Sequence, residues 1–238
     1  MSKEPVNTLN TKDLSKYKYL VFDGTYFHKK GCLIVLKDYL SRKVIANAYI
    51  DRENYEDVRN LLIKLKSYGL NPCAVTLDGH KQVIQAFRAV WVDLFIQRCL
   101  YHINRQGLQW LRTYPKTEAG KELRQIIKAL ISVKTEAEKN KALELYYLWL
   151  QKHRIFIKTL PPASVANKDL RKAMSLINNA LPDMYYFFKD RNIASTTNLL
   201  ENFFSQLKHN YRCHRGLTEK HKISYLKWYC YFKNTNTF

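Results

Sequence analysis

Apolar and polar positions change period several times along the chain. Residues 19–27, Tyr-Leu-Val-Phe-Asp-Gly-Thr-Tyr-Phe, are mostly β-branched or aromatic and are flanked by lysines. That composition predicts a strand. Both of its faces are largely apolar, so it belongs inside a sheet rather than at an edge. A turn is expected at 28–31, a second strand over 32–38, a turn at 40–42 and a third strand over 43–50. Three strands joined by short turns make an antiparallel meander. From 51 to 68 the period becomes helical, with Tyr55, Val58, Leu61, Leu62, Leu65 and Tyr68 on one face. Gly69 and Pro72 stop that helix. Residues 73–77 form a short apolar strand ending in Asp78-Gly79. A strand reached through a helical crossover should lie parallel to the first strand, with a right-handed connection. Asp78 would then stand near Asp23.

The second half reads as helix for most of its length. A short helix over 80–89 precedes a strand near 93–98 and a helix opening at Cys99 and running through Arg112. The pattern stays helical from 115 to 192, most clearly over 121–131, 135–152 and 168–180. Leu160-Pro161-Pro162 and Leu181-Pro182 interrupt it. Within it, Tyr146-Tyr147-Leu148-Trp149 reads as helix core, with base stacking as the alternative. Ser195-Thr196-Thr197-Asn198 is a helix-start signal. The helix after it carries Leu199, Leu200, Phe203, Phe204 and Leu207 on one side. Asn198, Glu201, Ser205, Lys208 and Arg212 form a polar stripe on the other. Residues 211–238 are basic and aromatic. The pattern divides the chain into a polar tail (1–17), the first part of an α/β core (18–114), a helical insertion (115–192) and a closing part of the core (193–238).

The chain has 238 residues, 46% of them apolar, enough for a sizeable core. Lys and Arg number 40 against 20 Asp and Glu, a formal net charge of +20. Such a field favours a polyanion, most simply nucleic acid; part of the excess is what AT-rich coding DNA would give. The five cysteines are scattered and odd in number, which fits a reducing compartment better than a disulfide framework. The N-terminus lacks the apolar segment of a signal peptide. No apolar run approaches the roughly 20 residues of a membrane span. The expectation is a cytoplasmic, DNA-associated protein with no membrane partner and no small-molecule substrate.

Three carboxylates stand out by context. Asp23 interrupts an apolar strand, where an ionised group is costly without a partner. Asp78 ends a strand, and Glu201 sits in an otherwise neutral or cationic stripe. Hard oxygen ligands suit Mg²⁺ or Mn²⁺, and two such ions can serve phosphodiester cleavage. Each residue also has a plainer reading. Asp-Gly after a strand is usually a turn. Asn198-x-x-Glu201 is also a capping box, in which Glu201 would bond only a backbone N–H. Cys99 and His102 supply two ligands where a structural zinc site needs four; a packed thiol and a hydrogen-bonded imidazole fit them better.

The order of strand with Asp23, hairpin, helix, strand with Asp78, helical insertion and helix with Glu201 resembles the RNase H-like catalytic domain of DDE transposases. More narrowly it is similar to the Mutator-like type and related bacterial insertion-sequence enzymes. Asp23-Gly24-Thr25, Cys99-x-x-His102 and Asn198-x-x-Glu201 followed by Lys208 carry the resemblance, over roughly residues 18–217. It implies an RNase H-like mixed sheet, three antiparallel strands plus parallel ones, flanked by helices. It also implies that Asp23, Asp78 and Glu201 bind catalytic Mg²⁺ or Mn²⁺, and that DNA, as element ends and target, is cut and joined. Lys208 and Arg212 would hold phosphates, with a solvated cationic face as the alternative for both, most evenly weighed for Arg212. Cys99, His102 and Asn198 would border the site, and a homo-oligomer is allowed. Only eighteen residues precede Tyr19, too few for the DNA-recognition region expected of full-length relatives. A truncated, non-catalytic DNA-binding protein and an RNase H-like nuclease are the alternative readings.

Overall fold

The computed structural model describes residues 13–27, 31–214 and 216–235. Most of the polar tail and the turn at 28–30 lie outside them. Five strands form one sheet in the order β3-β2-β1-β4-β5. The strands are β1 (Tyr19–Tyr26), β2 (Cys32–Asp38), β3 (Val44–Ile50), β4 (Ala74–Leu77) and β5 (Phe95–Arg98). β1, β2 and β3 pair antiparallel, while β4 joins β1 and β5 joins β4 in parallel. This is the mixed sheet expected from the sequence, three antiparallel strands plus parallel ones, with β1 at its centre.

Alternation along β1 and β2 sorts side chains onto two faces. Leu20, Phe22, Ile34 and Leu36 pack with Val58 and Leu62 of α1 (Tyr55–Ser67) and Phe87 of α2 (Lys81–Val90). Val21, Leu33 and Val35 pack instead against Leu200, Phe203, Phe204 and Leu207 of α8 (Asn198–Arg212) and Tyr229 of α9 (Glu219–Thr235). Asp23 has the parity of Val21 and therefore falls on the α8 face. α1 starts at Asn54, whose side chain accepts from the Asp57 N–H. It ends at Gly69, at φ +86, with Leu70 N–H bonded back to Leu65 O at 3.1 Å, the closing geometry glycine permits.

A separate helical core gathers α3 (Leu100–Leu111), α4 (Glu118–Ile131), α5 (Glu136–Thr159) and α6 (Val165–Ala180). A 3-10 turn at Leu181–Asp183 and the short α7 (Tyr186–Lys189) return the chain to the sheet. Tyr146 and Trp149 are buried there, the phenol on Asn178 Oδ1 at 2.8 Å and the indole N–H on Ala119 O at 3.0 Å. Tyr147 and Leu148 of the same run are exposed. Helix α5 continues seven residues past the predicted 152. Helix α9 was not legible as a helix at all.

The segment before α8 is tied to the ends of the parallel strands. Thr76 Oγ1 donates to Ala194 O at 2.5 Å, and the Leu100 N–H donates to Ser195 O at 3.0 Å. These bonds fix where α8 begins and hence where Glu201 points. α9 is held to the edge strand by Asn234, which accepts from the Val44 N–H at 2.7 Å and donates to its carbonyl at 2.8 Å. No helix among the described residues is long and apolar enough to cross a membrane.

Candidate functional site

Parallel register brings the first two carboxylates level. Val21 pairs with Thr76, and carrying that register two residues onward sets Asp78 opposite Asp23. Asp78 has left the strand: its Oδ1 accepts from the His80 N–H at 2.8 Å, the turn geometry of an Asp-Gly stop. Asp23 is partly buried, and its Oδ1 accepts from the Gly24 N–H at 2.9 Å. Burial pushes the Asp23 carboxyl well above the usual carboxylate range, and the charges of Asp78, Glu53 and Glu201 push it further. Among the described residues no Lys or Arg forms an ion pair with Asp23, Asp78, Glu53 or Glu201.

Glu201 approaches from the α8 face. One ligand atom each from Asp23, His102 and Glu201 lie within 4.8 Å of one another. Asp78 is outside this tightest group and acts on it through its charge. His102 Nε2 is 3.6 Å from Glu201 Oε1. The other imidazole nitrogen, Nδ1, faces Cys99 Sγ at 3.2 Å and Thr197 Oγ1 at 3.3 Å. Cys99 is buried, and its sulfur also accepts the Thr197 N–H at 3.2 Å. Cys99-x-x-His102 therefore ends as an orienting pair at the start of α3, with its imidazole turned toward the carboxylates.

Those contacts correct one sequence reading. The N-cap of α8 is Thr197, not Asn198, and its N–H is taken by Cys99. No capping box can form with Glu201, which is one residue too far along for one and is left for the cluster. Asn198 is exposed one turn before it. Lys208 lies further along the same helix, its Nζ 5.8 Å from the Phe27 ring centroid. Arg212 is exposed at the helix end.

Glu53 was missed. It belongs to the polar link before α1 and reaches back over the β1 backbone. A Cβ on Gly24 would stand 1.8 Å from its Oε1, so the glycine makes the notch that Glu53 fills. Burial raises the Glu53 carboxyl to about 7, with the Asp78 charge adding to the shift. A glycine in mid-strand was the available signal, since it marks a close approach of some other group.

The donor set fits a hard divalent cation: carboxylates that repel one another and one oriented imidazole. Acidic side chains gathered where neighbouring parallel strands end make this a candidate divalent-metal site. A family model described as "Transposase, Mutator family" matches residues 2–227, and the chain belongs to that family. Among solved structures it is similar to the catalytic core domain of HTLV-2 integrase in complex with magnesium, in a dimeric form. Identity is 18% and the TM-score 0.30, covering 55% of this chain and 86% of that one. It is also similar to a chain of the simian T-cell lymphotropic virus intasome in complex with PP2A regulatory subunit B56 gamma. There identity is 13% and the TM-score 0.28, covering 71% of this chain and 48% of that one. No curated protein matches.

Proposed function

We propose that the protein is a metal-dependent DNA transposase whose acidic cluster cuts DNA at an element end and joins the freed 3′ end to a target. The observation that carries this reading is Asp23, a partly buried carboxylate facing Asp78, Glu53 and Glu201 with no Lys or Arg in ion pair with it among the described residues. Asp23, Asp78 and Glu201 would hold Mg²⁺ or Mn²⁺, with His102 Nε2 as a neighbouring donor. Such ions, when bound, lower the barrier by sharpening an attacking oxygen and steadying a leaving one.

The chain's own residues supply position. The Gly24 N–H fixes one oxygen of Asp23. Cys99 and Thr197 hold the His102 ring so that Nε2 faces Glu201. Lys208, on the stripe that carries Glu201, is a monodentate clamp for a phosphate of the cut strand, and Arg212 at the exposed helix end a second. Assembly as a homo-oligomer would let two such sites act on paired element ends.

The test is a nicking and strand-joining assay on DNA carrying the element's ends, with Mg²⁺ or Mn²⁺ supplied. Activity should require the ion and disappear in Asp23→Asn and Glu201→Gln proteins that melt like the parent. Ion-independent cleavage, or cleavage that survives both changes, would overturn the assignment.

A further inference from the structure

A groove of about 620 Å³ opens beside Asp78, between the start of α2, the end of β5 and α6. Its lining is strongly cationic: Lys81, Arg88, Arg98, Arg171 and Lys172, against the single carboxylate of Asp183. Arg88 pairs with Asp183 at 3.0 Å, and Arg171 is anchored through Nε on Asn167 Oδ1 at 2.6 Å. Arg98 is different. It is only 6% exposed, its Nε has no hydrogen-bond partner, and Nη1 makes one long contact of 3.4 Å to Asn179 O. A Cβ on Gly79 would stand 2.0 Å from Arg98 Nη2, so the bare backbone beside Asp78 gives this guanidinium its place. Asp78 and Asp183 act on this guanidinium through their charge, and its unbonded Nε–H leaves hydrogen-bonding capacity for a further anion.

The groove does not end there. A hollow of about 300 Å³ shares Arg171 and adds Arg154 and Lys158 of α5. The half-exposed Trp110 of α3 lines the first groove. Cations spread over two hollows that share Arg171, with an indole lining one of them, form a track that matches a sugar-phosphate backbone and its bases rather than one small anion.

We propose that this track holds a DNA strand as it leaves the acidic cluster, with Arg98 on the phosphate nearest Asp78 and Trp110 against a base. The proposal rests on the DNA-processing reading above and adds to it a second binding surface, apart from the α8 stripe.

The experiment uses the full chain and a short labelled DNA strand of mixed sequence, followed by fluorescence anisotropy across a salt titration. An Arg171→Gln/Lys172→Gln protein should bind more weakly. Its log–log salt slope should be shallower by about 0.7 for each cation removed. Arg98→Met should bind more weakly too; because Arg98 is buried, its melting curve is read alongside. With iododeoxyuridine in the strand, light-induced crosslinks should fall on the peptide containing Trp110. An unchanged slope in the well-folded double variant, or crosslinks confined to α8 and α9, would overturn the proposal. So would groove-dependent binding that prefers RNA of the same sequence. Cleavage by the parent, assayed separately, distinguishes this from the catalytic reading. If the parent never cuts but the slopes change as stated, the track stands and the catalytic reading falls. If it cuts and the slopes do not change, the reverse holds.

Discussion

At the scale of single residues, the site is a set of carboxylates kept apart from their usual partners. Glu53 offers a direct reading of that repulsion. Its carboxyl is lifted from the ordinary 4.5 to about 7 by burial first and by Asp78 second. The folded protein therefore binds a proton there that the unfolded chain has already released. This stabilises the fold fully below pH 4.5, and the benefit is lost as pH rises to about 7. Metal-free protein should lose up to about 3 kcal/mol of stability across that window. Glu53→Gln should shrink the loss, leaving the part that the raised Asp23 carboxyl contributes, as thermal melts at pH 5 and pH 7.5 would record. A melt insensitive to pH in the parent would contradict the account. Thr197→Val probes the other side of the cluster. Without Oγ1 the imidazole loses one of its two orienting partners. Affinity for Mn²⁺ should fall about 10-fold, the usual effect of removing a supporting bond behind a ligand.

Legibility in the sequence followed chemical context. Asp23 stood out because an apolar strand gives a carboxylate nothing to pair with, and Glu201 because its stripe was otherwise neutral or basic. Glu53 sits in Asp51-Arg52-Glu53-Asn54, a polar link in which an acid looks ordinary. Only the notch at Gly24 makes it part of the site. Asn198 looked like a cap because the sequence cannot tell that Cys99, far away in the chain, takes the Thr197 N–H.

At the scale of elements, period and turn chemistry located the strands and most helices, and the crossover rule placed β4 beside β1. The failures have physical causes. Basic and aromatic residues recur on every side of α9, and a lysine, Lys222, shares its buried side with Leu226, Tyr229 and Cys230, so no clean apolar stripe declares it. α5 runs on through His153 and Arg154, where polar residues masked a helix held by Ile157 in the core. The tie between Thr76 and Ala194 O matters most for function, since it seats the start of α8. Thr76→Val would leave that carbonyl without its donor. It should cost about 1–3 kcal/mol in chemical denaturation and lower cleavage more than the stability loss explains. Lys37 of β2 offers a contrasting case. It is 7% exposed, its Nζ lies 5.0 Å from the Phe203 ring centroid, and burial, with Arg42 nearby, holds its ammonium down at about 8. A depressed amine destabilises the fold below pH 8, and stability returns as pH rises from about 8 to 10.5. Lys37→Met should therefore raise the melting temperature at pH 7, worth up to about 3 kcal/mol.

At the scale of the whole molecule, an acidic cluster sits within a chain of net charge +20. The surrounding field draws in a polyanion, while the carboxylates alone would repel its phosphates; a divalent cation reconciles the two. DNA binding should accordingly weaken steeply with salt, and Mn²⁺ should strengthen binding in the parent but not in Asp23→Asn. The most direct measurement is a crystal structure of the protein soaked in Mn²⁺, with the ion located by its anomalous scattering. Manganese is expected bound directly to carboxylate oxygens of both Asp23 and Glu201, with Asp78 turned toward the same centre. Manganese bound elsewhere, or bound to Asp23 with Glu201 left outside its coordination, would contradict it.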